Sequence, residues 1–396
     1  MSDTMLWDPY SHAHQVNPYE IWRTLRDEFP VYHNDHYGFY ALSRWDDVLN
    51  ASLDSETFSS AMGITIDTVG TQPDPPSMIT SDPPDHDILR SVVNRSFTPR
   101  KIGHLEKRIQ DLCAMYLDPF VGTDGMDFVA DFGARLPVMV ISSLLGFPEE
   151  DHDQLRIWSD EALHREEGKT GPTAKAEESK ILRQQYIYNQ IKLRRADPQD
   201  DMISGLATAE LTEHDGTKRP LTDLEIMAMI GLISAAGNET VARLLGWVSV
   251  VFSENPDQRK ILVDDPSLIP NAVEEMLRFE APSPIQGRYV TRDIEMHGTT
   301  VPAGSTMALL TGAAGRDPRK YENPDQFDVN RRFDRHVSLG YGVHYCLGAH
   351  LARMEGRTAI AETLKRFPEW HVDRKDVRFV ATNTVRGPES SPIKFR

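Results

Sequence analysis

The chain has 396 residues, 43 basic against 60 acidic, and a formal net charge of -17, a balance that argues against nucleic acid or anionic membranes as its main partners. Its two cysteines, Cys113 and Cys346, are too far apart in sequence to suggest a disulfide framework and suit a reducing compartment. The N-terminus has no basic region followed by an apolar one, and the most apolar run, Ile226 to Asn238, is stopped by Glu239 and Arg243. A cytoplasmic chain without a membrane span is therefore expected.

In chain order, residues 18–29 follow a short amphipathic helix, and Val31 to Leu42, with aromatics and a turn near Asn34 and Asp35, a hairpin. Met62 to Pro76 has the Gly, Thr, Pro and Asp content of a long loop. At Asp82-Pro83-Pro84-Asp85, an N-cap Asp, a proline at the first helical position and first-turn acid predict a helix start. His86 and Arg90 follow at i and i+4, either a solvated surface pair or two side chains converging on an anion. Helical patterning covers Ile102 to Phe120, with Cys113 among apolar neighbours, then Phe128 to Leu145, Asp151 to Leu163 and Lys175 to Arg195. Between the last two, the polar HREEGKTGPT at 164–173 reads as a lid tip.

Thr222 to Ser253 is the longest helical segment, opening with the capping box Thr222-Asp223-Leu224-Glu225 and closing before Asn255-Pro256. At about 1.5 Å per residue it spans roughly 45 Å, enough to cross a domain as a buried central helix. A helix ending near Phe279 and β-like pieces at Tyr289 to Met296 and Thr306 to Leu310 follow. With no repeat and no low-complexity linker, the expected architecture is one mainly α domain over 1–396 with small β-sheets, α+β in class.

Two stretches point to chemistry. In Ser338 to Ala349, Cys346 sits among Gly340, Gly342 and Gly348, just ahead of an apolar helical stripe formed by Leu347, Leu351, Met354, Ala361 and Leu364. Glycine lets backbone approach a flat ligand closely, and a helix N-terminus favours thiolate over thiol, which prepares a metal ligand. The alternative is a small buried apolar residue. Within the long helix, Thr240 can return its hydroxyl to the carbonyl of Ala236. With Gly237 beside it, the result is a notch fit for a small ligand and a water, with Glu239 feeding protons. A purely structural kink would look the same. Glu275 and Arg278 form Glu-x-x-Arg, a spacing shared by Glu20 and Arg23 and ordinary on helix surfaces. No Cys-x-x-Cys, His-Glu-x-x-His, Gly-x-Ser-x-Gly or P-loop occurs, and Tyr345 breaks the dinucleotide fingerprint begun at Gly340 and Gly342.

Taken in order, these features resemble the cytochrome P450 family over essentially the whole chain. The cysteine loop is similar to the family's heme signature, with Gly342, His344 and Gly348 at the matching offsets from Cys346. Ala236-Gly237-Asn238-Glu239-Thr240 matches the long-helix motif, Glu275 and Arg278 match Glu-x-x-Arg, and Phe327 to Arg331 supplies the third member of that buried cluster. The resemblance implies a P450 fold with the long helix over heme b (iron protoporphyrin IX). It makes Cys346 the iron ligand and Glu239 and Thr240 the proton-delivering pair, and it places His86, Arg90, Arg288 and His344 at the propionates. It also places Phe97, Ala236, Gly237, Thr240, Leu339, Gly340 and Gly348 against the macrocycle. Leu339 stands where the family has Phe beside the sulfur, which should alter the heme potential.

The implied reaction is insertion of one atom of O2 into a C–H bond, the thiolate favouring O–O cleavage. The apolar character of Met62, Ile64, Val69, Leu232 and Ile285 suits a small lipid, steroid, terpenoid or aromatic substrate. Electrons from NAD(P)H would arrive through a ferredoxin reductase and a ferredoxin docking on Arg100, Lys101, Arg353 and Arg357 of a monomeric enzyme; those four residues read equally well as solvated surface cations. A peroxide-driven peroxygenase is the alternative, disfavoured because such relatives lack the acid and alcohol held here by Glu239 and Thr240. A non-catalytic heme-thiolate sensor would have less need of either.

Overall fold

The computed structural model describes residues 7–73, 75–95, 97–98, 102–163, 166, 172–332, 334–382 and 384–396. The helices that position the site are α1 (Trp45–Leu53), α2 (Asp85–Asn94), α3 (Leu105–Leu117), α4 (Arg135–Leu145), α5 (His152–Leu163), α6 (Ala174–Ala196), α7 (Asp223–Glu254), α8 (Ile269–Phe279) and α9 (Ala349–Arg366). Small sheets accompany them, so the mainly α, α+β reading describes the molecule.

The long helix α7 is the axis of the core. Its capping box forms as the sequence predicts: Thr222 Oγ1 accepts from Glu225 N at 3.2 Å, and Glu225 Oε2 accepts from Thr222 N at 2.8 Å. From Val241 to Phe252 every residue is buried, the all-round burial of a central helix. It packs on α4, α5, α6, α8 and α9, and one cluster joins its Leu244, Leu245 and Trp247 to Phe128, Phe132, Leu351 and Trp370.

The main sheet orders Val31–Asn34, Phe39–Leu42, Thr306–Leu309, Gln286–Val290 and Phe58–Ser59, with only the second and third parallel. Along Thr306–Leu309 the period of two is clean: Met307 and Leu309 join the cluster on one face, Ala308 that on the other. The 62–70 loop is laid onto this sheet. Gly70 N donates to Met62 O at 2.7 Å and Gly287 N to Ile64 O at 2.7 Å, so the backbones meet where a Cβ on Gly287 would lie 2.8 Å from Thr65 C.

Several boundaries depart from the patterning. Asp82 does not cap α2: its carboxylate takes Ser60 N at 2.9 Å and the Ser59 hydroxyl, tying the helix start to the sheet edge, while Pro84 occupies the N-cap position. The Ile102 to Phe120 segment ends in a tight 3-10 turn at Asp118–Phe120, which contains Pro119. Phe128 to Leu145 is not one α-helix. Asp127 caps Val129 and Ala130, a π-helical turn covers Phe128–Gly133, and α4 follows. Of the 164–173 segment, residues 164–165 and 167–171 lie outside the described residues, while Thr173 caps α6 by accepting from Ala176 N at 3.0 Å. Two helical stretches, Phe128–Leu145 and Asp223–Glu254, are long and apolar enough to cross a membrane by length and composition. Both are packed among other helices, which makes them weak evidence for a span.

Candidate active site

The cysteine loop is built by backbone geometry that two glycines supply. Gly340 and Gly342 take φ of +71° and +67°, the left-handed region that favours glycine. Gly342 also lies against α1, where a Cβ would come within 2.7 Å of Ser52 O. The loop closes on itself as Cys346 N donates to Leu339 O at 2.9 Å, and Ser338 Oγ ties it to Leu277 O of α8 at 2.6 Å. From α2, Arg90 donates to Val343 O at 2.9 Å and Tyr345 O at 2.6 Å. Arg90 therefore clamps the loop's carbonyls, a task its sequence spacing did not reveal.

Burial pushes the Cys346 thiol above its ordinary value, and the backbone N–H of Gly348 with the charges of Arg90 and Arg353 only partly oppose this. Burial thus opposes the thiolate, and a cation bound at the sulfur would favour it. Among the described residues no three metal-ligating side chains cluster, so a metal at Cys346 would draw its remaining ligands from a prosthetic group. Beside the cysteine, Gly348 has no protein atom packed on it: a Cβ there would meet nothing within 4 Å outside its chain neighbours.

On one side of the loop, basic groups gather around His86, whose Nδ1 lies 2.8 Å from Asp87 Oδ1. The rings of His86 and His344 meet edge to face at 4.8 Å, and the Nε2 atom of each is buried with no partner. Arg288 is buried on the central sheet, its Nη1 donating to Gly287 O at 2.7 Å, and burial lowers its guanidinium to about 10 against the pull of Asp82. Burial, then Arg288, His86 and Arg90, depress His344 to about 3. Such a cluster is costly alone and fits the carboxylates of heme b.

The second group of candidate residues lies on α7. Thr240 Oγ1 donates to Ala236 O at 2.8 Å, the bond expected from the sequence. Ala236 is exposed in mid-helix and Thr240 half-buried, although Ile233, Ser234, Asn238 and Glu239 are buried, so protein does not cover this part of the helix. Gly237 does something else: a Cβ there would lie 3.0 Å from Ile141 Cγ1, so its smallness serves contact between α7 and α4. Phe97 is buried in the main core cluster, and Leu339 packs against the edge of that cluster.

Glu239 is buried and paired to Arg243 at 3.3 Å. It also hydrogen-bonds Asp160 of α5, which Arg156 holds at 2.9 Å. Sequence reasoning missed this group of four, whose one signal, Arg156 and Asp160 at i and i+4, is an ordinary surface spacing. Glu275, Arg278 and Arg331 do form one buried cluster: Glu275 Oε2 lies 2.6 Å from Arg278 Nε, and Glu275 Oε1 lies 3.1 Å from Arg331 Nε. Of the proposed docking cations, Arg100 and Lys101 lie outside the described residues. Arg353 is paired to Glu274 at 2.6 Å and Arg357 to Glu106 at 3.1 Å, so their positive field is largely cancelled locally. Burial pushes Cys113 up to about 12, the inert core thiol expected.

The family model described as Cytochrome P450 matches residues 171–393. Putative cytochrome P450 123 of Mycobacterium tuberculosis is 38% identical over 99% of this chain and 97% of its own length. Among solved structures, a mutant of P450 EryK in complex with erythromycin B is 32% identical, with a TM-score of 0.86 over 97% of each chain. CYP109E1 from Bacillus megaterium in complex with corticosterone is 29% identical, with a TM-score of 0.84 over 96% of this chain and 99% of that one. On these matches the chain belongs to the cytochrome P450 family: it is a heme-thiolate monooxygenase that uses heme b and takes reducing equivalents from NAD(P)H through redox partners.

Proposed function

We propose that this enzyme hydroxylates a C–H bond of a small, largely apolar molecule of the lipid, steroid, terpenoid or aromatic class. The observation that carries the reading is the pairing of an open position at Gly348, beside the Cys346 thiol, with a helix that holds the Thr240 hydroxyl on the Ala236 carbonyl next to a buried Glu239. The erythromycin B and corticosterone held by the two relatives above favour a bulky, mainly apolar skeleton. The 62–70 loop, pinned beside Arg288, carries Met62, Ile64 and Val69 at the edge of the same sheet.

In this reading Cys346 ligates the iron, while His86, His344 and Arg288 take the propionates. Arg90 holds the loop that carries the sulfur. When bound, heme supplies oxygen activation and one-electron chemistry. Glu239 holds a proton near Thr240, and the Thr240 hydroxyl orients a water toward the open face. A ferredoxin is the proposed donor. The chain acts as one domain over 1–396, as a monomer, in the cytoplasm. Substrate-dependent NAD(P)H consumption with a ferredoxin and its reductase tests the reading. Thr240→Ala should keep heme and substrate binding yet divert electrons to peroxide. Unchanged coupling in that variant would refute the relay, and turnover supported only by added peroxide would favour the peroxygenase.

A further inference from the structure

The inner face of α6 carries a charge among buried neighbours. Its buried residues Ala176, Ser179, Ile187, Gln190 and Ile191 recur at helical spacing, and Arg183 stands four positions after Ser179 and four before Ile187, on the same stripe. The half-buried Arg183 has its Nε sealed without a partner, and among the described residues no hydrogen bond or ion pair engages the rest of its guanidinium. Contacts on either side fix where it stands. Ser179 Oγ donates to Glu161 Oε2 at 2.5 Å, Tyr186 Oη donates to Asp151 Oδ2 at 2.6 Å, and the Trp158 and Tyr186 rings lie 6.0 Å apart. Arg183 falls between these two hydrogen bonds, facing the middle of α5 in a helical hairpin that packs on α7.

A guanidinium taken out of water without a counter-ion is costly. The acids nearby are engaged elsewhere or turned outward. On α5, Asp151 takes Tyr186, Asp160 lies 2.9 Å from Arg156, Glu161 lies 2.6 Å from Lys175, and Asp153 is exposed. On α6 itself, Glu177 lies 4.0 Å from Lys180, and Glu178 is exposed. Arg194, eleven positions beyond Arg183 and on the same face, shows the contrast: it donates to Asp201 at 2.7 Å, Gln190 Oε1 at 3.0 Å and Gly146 O at 2.6 Å. The chain thus supplies partners for one inner arginine of α6 and none for the other. Burial lowers the Arg183 guanidinium, and no acid pulls it back.

We propose that Arg183 anchors the carboxylate of the substrate between α5 and α6, which makes the substrate an amphipathic acid, an apolar skeleton with one ionised carboxyl group. The planar guanidinium fork presents parallel N–H donors that match a carboxylate, and screening from water strengthens the pair. An ester or alcohol of the same skeleton would leave Arg183 buried and unpaired, so the pairing selects among molecules of similar apolar bulk. The inference rests on the reading of the enzyme as a hydroxylase of apolar molecules and adds the charged end of the molecule.

The test titrates the heme-loaded full chain with dodecanoic, cholanic, abietic and biphenylcarboxylic acids, each against its own methyl ester, and reads the spin-state shift of the ferric heme. In the wild type at least one acid should give its shift at about tenfold lower concentration than its ester. Arg183→Gln should bring that acid and its ester together while leaving the ester's titration in place, and Arg183→Lys should keep part of the preference. Because an unpaired buried charge is costly, Arg183→Met without ligand should unfold at a higher urea concentration than the wild type. Esters that bind as tightly as their acids in every pair, an acid preference that survives Arg183→Gln, or an Arg183→Met protein less stable than the wild type would each overturn the assignment. If the esters are nonetheless hydroxylated with a ferredoxin and its reductase, the apolar-substrate reading stands without Arg183. If neither acids nor esters shift the heme or are turned over, both readings fall.

Discussion

On the Cys346 side, backbone groups around the sulfur are already engaged: Leu339 O by Cys346 N, and Val343 O and Tyr345 O by Arg90. On the α7 side, Asn238 is buried with both amide atoms unpaired, and Ala236 is exposed. In the basic cluster the Nε2 atoms of His86 and His344 are likewise buried without a partner, although His86 Nδ1 meets Asp87. The difference separates two tasks. The loop that must hold an iron ligand at fixed geometry is determined by the protein alone, whereas the surfaces that meet heme, water and substrate are left incomplete for them.

The sharpest way to break that division is a pair of glycine variants. Gly342→Ala sets a Cβ 2.7 Å from Ser52 O at a φ of +67°, and should cost about 3 kcal/mol in urea unfolding. Gly348→Ala meets no protein atom within 4 Å; it should leave stability of the heme-free chain unchanged while lowering heme affinity. Equal destabilisation by both would mean that the loop is not determined by its own packing. Arg90→Ala comes next. It releases two carbonyls from a charged donor and should cost about 1.5 kcal/mol, with faster heme loss measured by transfer to apomyoglobin.

Much of the site is legible in the sequence because it depends on local backbone chemistry. The glycines of the cysteine loop, the Thr222 box and the Thr240 to Ala236 bond each act within a few residues, and each is found in place. What escaped is long-range. Asp160 meets Glu239 across 79 positions of chain, and Arg90 finds Val343 from 253 positions away. Gly237 matches a motif while its contact is with Ile141 on another helix. Spacing reveals which residues share a face, and only packing reveals what that face meets.

Smaller effects sharpen the α7 side. Asp160 keeps its proton to about pH 7 when folded, against 3.8 for an ordinary aspartate, so between these values the folded state binds more protons than the unfolded one. Stability from this group therefore falls as pH rises from about 4 to 7 and is lowest above 7. Urea unfolding across that window should show the decline in the wild type and a flatter profile in Asp160→Asn. The smallest change expected is at Leu339, partly buried and bonded through its carbonyl to Cys346 N: Leu339→Phe should shift the heme potential without altering stability, and an unchanged redox titration would dismiss its influence.

The central claim, that Cys346 is the thiolate ligand of heme, is met most directly by the spectrum of the reduced, carbon monoxide-treated protein. The wild type should give the red-shifted Soret band that a thiolate ligand produces, and Cys346→Ser should retain the fold but lose that band. A wild type without the band, or a Cys346→Ser variant that keeps it, would contradict the assignment.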